Sequence, residues 1–513
     1  MSTIAHQSSG KPATAFSAGG DPTQNSGEAG GSGDGGNGVS TVGAGLHASA
    51  AVNAAIQAII NDLKARTAQI SDVKVSNPAL KEQYDALMAR AAAVRGRPLL
   101  YPFIGSGAGN RALVELADAS VKWDMVCGIG VHFFGHSDAD LAEAALRAGI
   151  DDTVKHGNLV SNFEAYRFAE TLLKEVGKNS KLKHAYIGTS GAMANENALK
   201  VCMQKAGAHR VLAFKDCFMG RSLSMLSVGD SHAGREGMPI NIAVDYMPFY
   251  DQTIVDRMGG GPSGKKRFID MAVAHLDQYI SRFPGQHSCF IFELVQGEGG
   301  FNVGDRDYFK ALMEVCMARK IPVWDDEIQT FGRLSRMFAY EHFDLGEYVD
   351  VFCVGKMTQA CVTMFTEEFN PKAGLLSGTF TGEGLSFRVG QRIVERLRDG
   401  NFYGADGLFE KHHGLFRQQV AALMAKHPEW FPAVPAVGEL VGGSGGMMRF
   451  TPFGGDKAKI MSACKAIFDA GVILFYCGHG PYHVRMLPPL PVMHESDWPR
   501  VFECIERGMA QVK

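Results

Sequence analysis

A lysine and a cluster of acids stand at the ends of two apolar runs in this chain. The run Ile321-Pro322-Val323-Trp324 breaks into Asp325-Asp326-Glu327-Ile328-Gln329-Thr330, and the run 349–355, with Asp350 inside it, ends at Lys356. Such runs read as buried strands of an open α/β sheet, whose C-terminal ends carry ligand sites. A lysine at that position is partly desolvated, which disfavours its charged form and leaves a nucleophilic amine. One cofactor uses both groups. Pyridoxal phosphate takes a lysine as its imine partner, and an acid beside its ring nitrogen keeps that nitrogen protonated. In that reading Asp326 faces the pyridinium nitrogen and Gln329 bonds the phenolic oxygen of the ring. Asp325 and Glu327 compete as the acid, and three adjacent acids also describe a solvated turn or part of a Mg²⁺ site. Lys356 alone would be a strand-end lysine snorkelling to solvent.

Other stretches carry chemistry in company. Thr189-Ser190-Gly191-Ala192 precedes a helical pattern, so its free amides offer an anion site or an ordinary helix cap. Glu293-Leu294-Val295-Gln296-Gly297-Glu298-Gly299-Gly300 ends another apolar run, with carboxylates that either tune a cationic cofactor or decorate a Gly-rich turn. Phe218 and Arg221 offer a stacking face and a two-pronged carboxylate clamp; the plain alternative is a core Phe and a surface Arg. Arg485 is a second carboxylate anchor or a plain strand residue.

Three patterns mislead. Gly259-Gly260-Gly261-Pro262-Ser263-Gly264-Lys265-Lys266 satisfies the P-loop spacing, but Lys266 stands where a Ser or Thr must hold Mg²⁺, and no apolar strand comes immediately before it. Gly105-Ser106-Gly107-Ala108-Gly109-Asn110 lacks the third dinucleotide glycine and reads as a loop. Cys477, His479 and His483 fit no zinc spacing, so no metal is expected.

These groups need a scaffold. Strand-like segments at 185–187, 211–214, 241–244, 289–295, 321–324 and 350–354 alternate with helical patterns at 194–205, 268–281 and 305–319. That alternation predicts an α/β fold with a mostly parallel sheet flanked by helices. A helical pattern over about 50–95 places Ile56, Ile59, Ile60 and Leu63 on one stripe. Beyond about 390, helices and short strands suggest a smaller α+β domain. The expected division is a low-complexity, disordered tail at 1–45, an N-terminal part of the small domain at 46–137, a large cofactor-binding domain at 138–388, and the rest of the small domain at 389–513.

With 513 residues, 46% apolar and 20% charged, the chain can bury a large core. A net charge of −3 gives no general attraction to nucleic acid or anionic membrane. No membrane span or signal pattern is visible, and the ten cysteines are scattered singly, so a cytoplasmic location with reduced thiols is expected.

In the order Ser190-Gly191-Ala192, Phe218-Met219-Gly220-Arg221-Ser222, ELVQGEGG, DDEIQT, Lys356 and Gly378-Thr379-Phe380, the chain resembles the class III aminotransferases, fold-type I pyridoxal phosphate enzymes. The resemblance implies a transaminase that moves an amino group to a keto acid such as 2-oxoglutarate, with ornithine-, acetylornithine- or 4-aminobutyrate-like donors favoured. Lys356 would hold the cofactor as a Schiff base and move the proton, with Asp326 and Gln329 on the ring. Ser190, Gly191 and Ala192 would bind the phosphate, completed by Thr379 of a neighbouring subunit in a homodimer. Phe218 would cover the ring and Glu293 would stand behind it. Arg221 would bind a substrate carboxylate, and Glu298 would mask or release Arg485 according to substrate. The chain departs from the family at a missing glycine after Thr330, and at Leu294, Met219, Glu383 and Met357-Thr358-Gln359, which alters the substrate side. The alternatives are an aminomutase or decarboxylating transaminase on the same fold, a nucleotide hydrolase at Lys265, and a non-catalytic binding protein.

Overall fold

The structure, a computed structural model, describes residues 41–99, 101–152, 154–231 and 234–512. A short N-terminal unit ends at Ala55 and the main unit spans Ile56–Lys513. Residues 1–40 of the expected tail lie outside the described residues. Of the five that follow, Thr41 caps the helix Val42–Ala48, its Oγ1 accepting from the Ala44 N–H at 3.1 Å, and Val42 to Gly45 belong to that helix.

The helical pattern over 50–95 resolves into Ala50–Thr67, a short turn at Pro78–Leu80 and Lys81–Arg95. Asn77 caps the turn and Pro78 sits at its first position, which favours a new helical start rather than continuation. Of the predicted stripe, Ile56 and Ile60 are buried, whereas Ile59 projects outward.

The core is a seven-stranded sheet built from β1 (Leu182–Gly188), β2 (Arg210–Phe214), β3 (Val244–Met247), β4 (His287–Phe292), β5 (Val323–Glu327), β6 (Val351–Val354) and β7 (Cys361–Thr366). Their order is β1-β7-β6-β5-β4-β2-β3. The pairs β6–β5, β5–β4, β4–β2 and β2–β3 are parallel; β7 runs antiparallel to both of its neighbours. Every residue of β4, β5 and β6 is buried, as expected for strands covered on both faces. Side chains alternate between the faces. Phe290, Phe292, Val323 and Phe352 join one apolar cluster, while Cys289, Ile291, Trp324 and Cys353 join the other.

Three expectations are corrected. The strand placed at 241–244 begins where that segment ends, at Val244. β7 was absent from the reading. Gly105–Asn110 is not a loop but a strand, pairing with Leu113–Leu116, because a glycine-rich edge still offers its backbone to a ladder. Val121–Asp124 extends that sheet and takes Val472–Ile473 as a parallel neighbour, so N- and C-terminal segments share it. A second small sheet joins Val441–Ser444, Met447–Phe450, His483–Met486 and Phe475–Cys477.

The nucleotide-hydrolase reading at Lys265 is overturned. Gly261 opens the helix Gly261–Arg282, which follows the helix Gln252–Arg257 rather than a strand. Lys265 Nζ is held by Asp305 at 2.7 Å and Asp307 at 2.6 Å, leaving no cradle for phosphate.

Candidate active site

A cavity of about 210 Å³ lies at the C-terminal ends of the parallel strands. Its wall brings together Gly191, Ala192, Phe218, Glu293, Glu298, Asp326, Gln329 and Lys356. Asn195, Met219, Gly220, Gly297 and Ile328 complete it.

β5 delivers Asp326, and the period of two settles which acid faces the cavity. Asp326 points toward the helix Gly191–Ala206, where Asn195 Nδ2 donates to its Oδ2 at 2.7 Å and the Ile328 N–H donates to its Oδ1 at 2.9 Å. Asp325 and Glu327 point to the opposite face. Glu327 Oε1 accepts from the Tyr340 N–H at 3.0 Å, while Asp325 is buried against Glu327 as its neighbouring carboxyl. Burial and the neighbouring acid push Asp325 well above the carboxylate range and burial drives Glu327 up to about 8. Neither acid touches the cavity. Burial also raises Asp326, to about 6, against the pull of its two hydrogen bonds and of Lys356.

Lys356 leaves the end of β6 in a left-handed conformation, φ 50°, and opens the turn Lys356–Thr358. For a non-glycine residue this backbone is strained, and such strain concentrates where a side chain must be aimed. The residue is half-buried and lines the cavity. Burial lowers its pKa, offset by the negative charges of Glu298 and Asp326.

Glu293 holds two loops. Its Oε2 accepts from the Phe218 N–H at 2.9 Å and its Oε1 from the Gly297 N–H at 3.2 Å. Burial and the charge of Asp326 push it up to about 8. Arg485, fully buried on the strand His483–Met486, grips Glu298 with both prongs at 2.8 and 3.1 Å. Burial would raise Glu298, but the guanidinium holds it below its usual value.

The remaining expected residues lie outside the wall. Ser190 caps the helix Gly191–Ala206 through the Met193 N–H at 3.2 Å. Arg221 is exposed, with its guanidinium carbon 5.5 Å from the centre of the Phe218 ring. Thr379 is exposed on a separate loop and packs its backbone on Gly157. Asn195 was missed, although its position one turn into the helix from Gly191 puts it on the face toward the cavity.

The residues fit pyridoxal phosphate. Gln329 Oε1 is a buried orphan beside the cavity, and a Cβ on Gly297 would stand 2.6 Å from it. Gly220, at φ 125°, lies so close that a Cβ there would come 2.8 Å from Ala192 Cβ. These glycines keep open a cradle with a helix N-terminus at one end and a buried acid at the other. Lys356 and Asp326 border the same space, as a lysine-bound cationic ring requires.

The family model for class III aminotransferases matches residues 91–507. A diaminobutyrate–2-oxoglutarate transaminase from Nocardia farcinica is 26% identical over 79% of this chain and 89% of its own length. A 4-aminobutyrate aminotransferase from Mycobacterium bovis is 27% identical over 79% of this chain and 91% of its own. Among solved structures, a lysine aminotransferase from M. tuberculosis matches with a TM-score of 0.69 and 22% identity, covering 83% of this chain and all of that one. The chain belongs to the class III aminotransferases. It is a transaminase of fold type I that uses pyridoxal phosphate.

Proposed function

We propose that this transaminase takes the amino group of an ω-amino or ornithine-like donor and passes it to a dicarboxylic keto acid, 2-oxoglutarate being favoured. The names of the diaminobutyrate and 4-aminobutyrate relatives support that donor class. Within this chain, a doubly gripped Arg485–Glu298 pair beside the cavity and a solvent-facing Arg221 at its rim support substrates with carboxylates at both ends.

Pyridoxal phosphate, when bound, supplies an aldehyde that takes up amines and a protonated ring that accepts electrons from the substrate carbon. The chain does the rest. Lys356 Nζ holds the cofactor and then carries the proton from the donor carbon, its lowered pKa keeping a share of the amine neutral. Asp326 in its ionised form, favoured by Asn195, the Ile328 N–H and Lys356, would keep the ring nitrogen protonated. Gln329 would meet the phenolic oxygen and Phe218 would cover the ring, while Glu293 fixes the loop bearing Phe218. Ser190, Gly191 and Ala192 receive the phosphate at the helix N-terminus. Glu298 releases Arg485 for a substrate carboxylate and masks it otherwise.

The working unit is a homodimer in which Thr379 of one subunit completes the phosphate site of the other. Exposed apolar side chains on the segments flanking Thr379 support this: Leu159, Val160, Phe163, Tyr166 and Phe380. The strand pair Gly382–Glu383 with Lys155–His156 and the Asn158–Ser377 hydrogen bond at 2.7 Å join these segments. The ten free cysteines support a reducing, cytoplasmic setting.

The observation that carries the reading is Lys356 and Asp326 bordering one cavity with Gly191 and Ala192 at its end. A panel of ω-amino donors with 2-oxoglutarate, read as glutamate formed, tests it. Glutamate from at least one ω-amino donor is expected; none from the whole panel would overturn the substrate assignment.

A further inference from the structure

Arg485 is not the only arginine on its face of the C-terminal sheet. Arg449 stands directly opposite it in the ladder between Met447–Phe450 and His483–Met486. Opposed residues in antiparallel strands share a face, so both guanidiniums leave the sheet on the same side. The opposite face carries Met448, Phe450, Val484 and Met486 into the apolar core. Both terminal nitrogens of Arg485 are held by Glu298, whereas Arg449 has no acid partner among the described residues. It is 8% exposed, its Nε has no partner, and its one hydrogen bond is a long contact to Thr451 Oγ1 at 3.4 Å.

No neighbour neutralises it among the described residues. The fields of Cys477 and Glu439 reach it, but burial pushes the Cys477 thiol up to about 12, so it stays neutral, and Glu439 is exposed and paired with Arg417 at 3.2 Å. His483, which meets Thr451 Oγ1 at 2.8 Å, is buried and held neutral down to about pH 3 by burial and by the Arg449 charge. On the other flank lies Gly442, half-buried on the edge strand, where a Cβ would come 2.8 Å from Arg449 Cζ. The guanidinium therefore lies along bare edge backbone, not deep in the core. An uncompensated buried charge is strongly destabilising, and a guanidinium fork is shaped for planar oxyanions.

We propose that Arg449 is the receiving group of an oxyanion subsite on the Arg485 face of the C-terminal sheet, taking a carboxylate or phosphate group. Two sources share that chemistry: the far carboxylate of a dicarboxylic substrate, or a free inorganic oxyanion. The substrate arm rests on the reading that Arg485 takes the other carboxylate; the free-anion arm does not.

The test uses the holoenzyme, with Arg449→Met and Arg449→Lys beside the natural chain. Thermal unfolding is followed in sodium phosphate against sodium chloride at matched ionic strength, and KM is measured for 2-oxoglutarate and for pyruvate. If the oxyanion is free, phosphate raises the Tm of the natural chain saturably, the Met variant loses that response and the Lys variant keeps part of it. If it belongs to the substrate, the Met variant raises KM for 2-oxoglutarate about tenfold while leaving that for pyruvate nearly unchanged. Either result supports the subsite. It is overturned if the Met variant matches the natural chain in both measurements, if a phosphate response survives in it, or if Glu439→Gln reproduces its loss of stability. Should the Met variant fail to fold, absence of a saturable phosphate response in the natural chain together with unchanged KM values in the Lys variant overturns it equally. A protein without transaminase activity would sink the proposed donor and acceptor but leave the phosphate measurement decisive.

Discussion

Asn195 Nδ2 donates to Asp326 Oδ2 at 2.7 Å, joining the helix that begins at Gly191 to the strand that delivers the acid. The same nitrogen donates to the Met219 carbonyl at 2.9 Å, so one amide fixes the acid and the loop between Phe218 and Arg221. The position of Asp326 depends on a neutral side chain that has no other evident chemistry.

Asn195→Ala removes a donor that favours the charged form of Asp326, whose pKa burial has already raised to about 6. The acid must be ionised to hold the ring nitrogen protonated. Its pKa moves further up, so the acid limb of the kcat/KM profile shifts to higher pH. About a tenfold loss of kcat/KM at neutral pH is expected, shrinking as pH rises. A pH–rate series checks it; loss without movement of the limb would point to packing instead.

Asp325 and Glu327 form a buried pair on the far face of β5, and both are raised by burial. A carboxyl whose folded pKa exceeds its unfolded value adds stability below the unfolded pKa and loses it as pH climbs through the folded one. For Glu327 that window runs from the ordinary 4.5 to about 8. The natural chain is therefore expected to lose stability across this range. Asp325→Asn supplies an amide that needs no proton, and is expected to stabilise the protein at pH 8 by about 1–3 kcal/mol and flatten the decline. Urea unfolding at several pH values measures both.

Glu298→Gln weakens the double grip on Arg485 while preserving shape. The released guanidinium is expected to bind 2-oxoglutarate more tightly, lowering its KM by about tenfold, while turnover of donors lacking a second carboxylate falls. Half-reaction kinetics for donor and acceptor separate the two effects.

Phe163 is 79% exposed and opens the helix Phe163–Val176, which follows the segment at Gly157 that Thr379 packs against. Phe163→Glu leaves each subunit folded but places charge in the proposed contact. Sedimentation is expected to show monomers, and cofactor retention on dialysis is expected to fall by about tenfold or more. A stable dimer with full cofactor would contradict the shared phosphate site.

The elements that carry the cavity were legible because they are extreme. β4, β5 and β6 are buried on both faces, so apolar residues stand consecutively at Cys289 to Phe292, Val323-Trp324 and Val351–Val354, and each stretch is followed by ionisable groups. β7 escaped notice because Cys361–Thr366 mixes threonines into its apolar residues, and its antiparallel pairing with β1 depends on distant partners. Choosing among Asp325, Asp326 and Glu327 required the phase of the strand, which a short run does not reveal. Asn195 was invisible as chemistry, since only the packing of the helix on β5 gives its amide a task. Nothing in the sequence marks Arg449, because its isolation appears only once its neighbours are in place.

The central claim is that Lys356 holds the cofactor in the cavity it shares with Asp326. Borohydride reduction of the holoenzyme followed by peptide mass mapping tests it most directly. The pyridoxyl group is expected on the peptide containing Lys356, and Lys356→Ala is expected to abolish both labelling and turnover. Label on a different lysine, or turnover that survives in Lys356→Ala, would contradict the account.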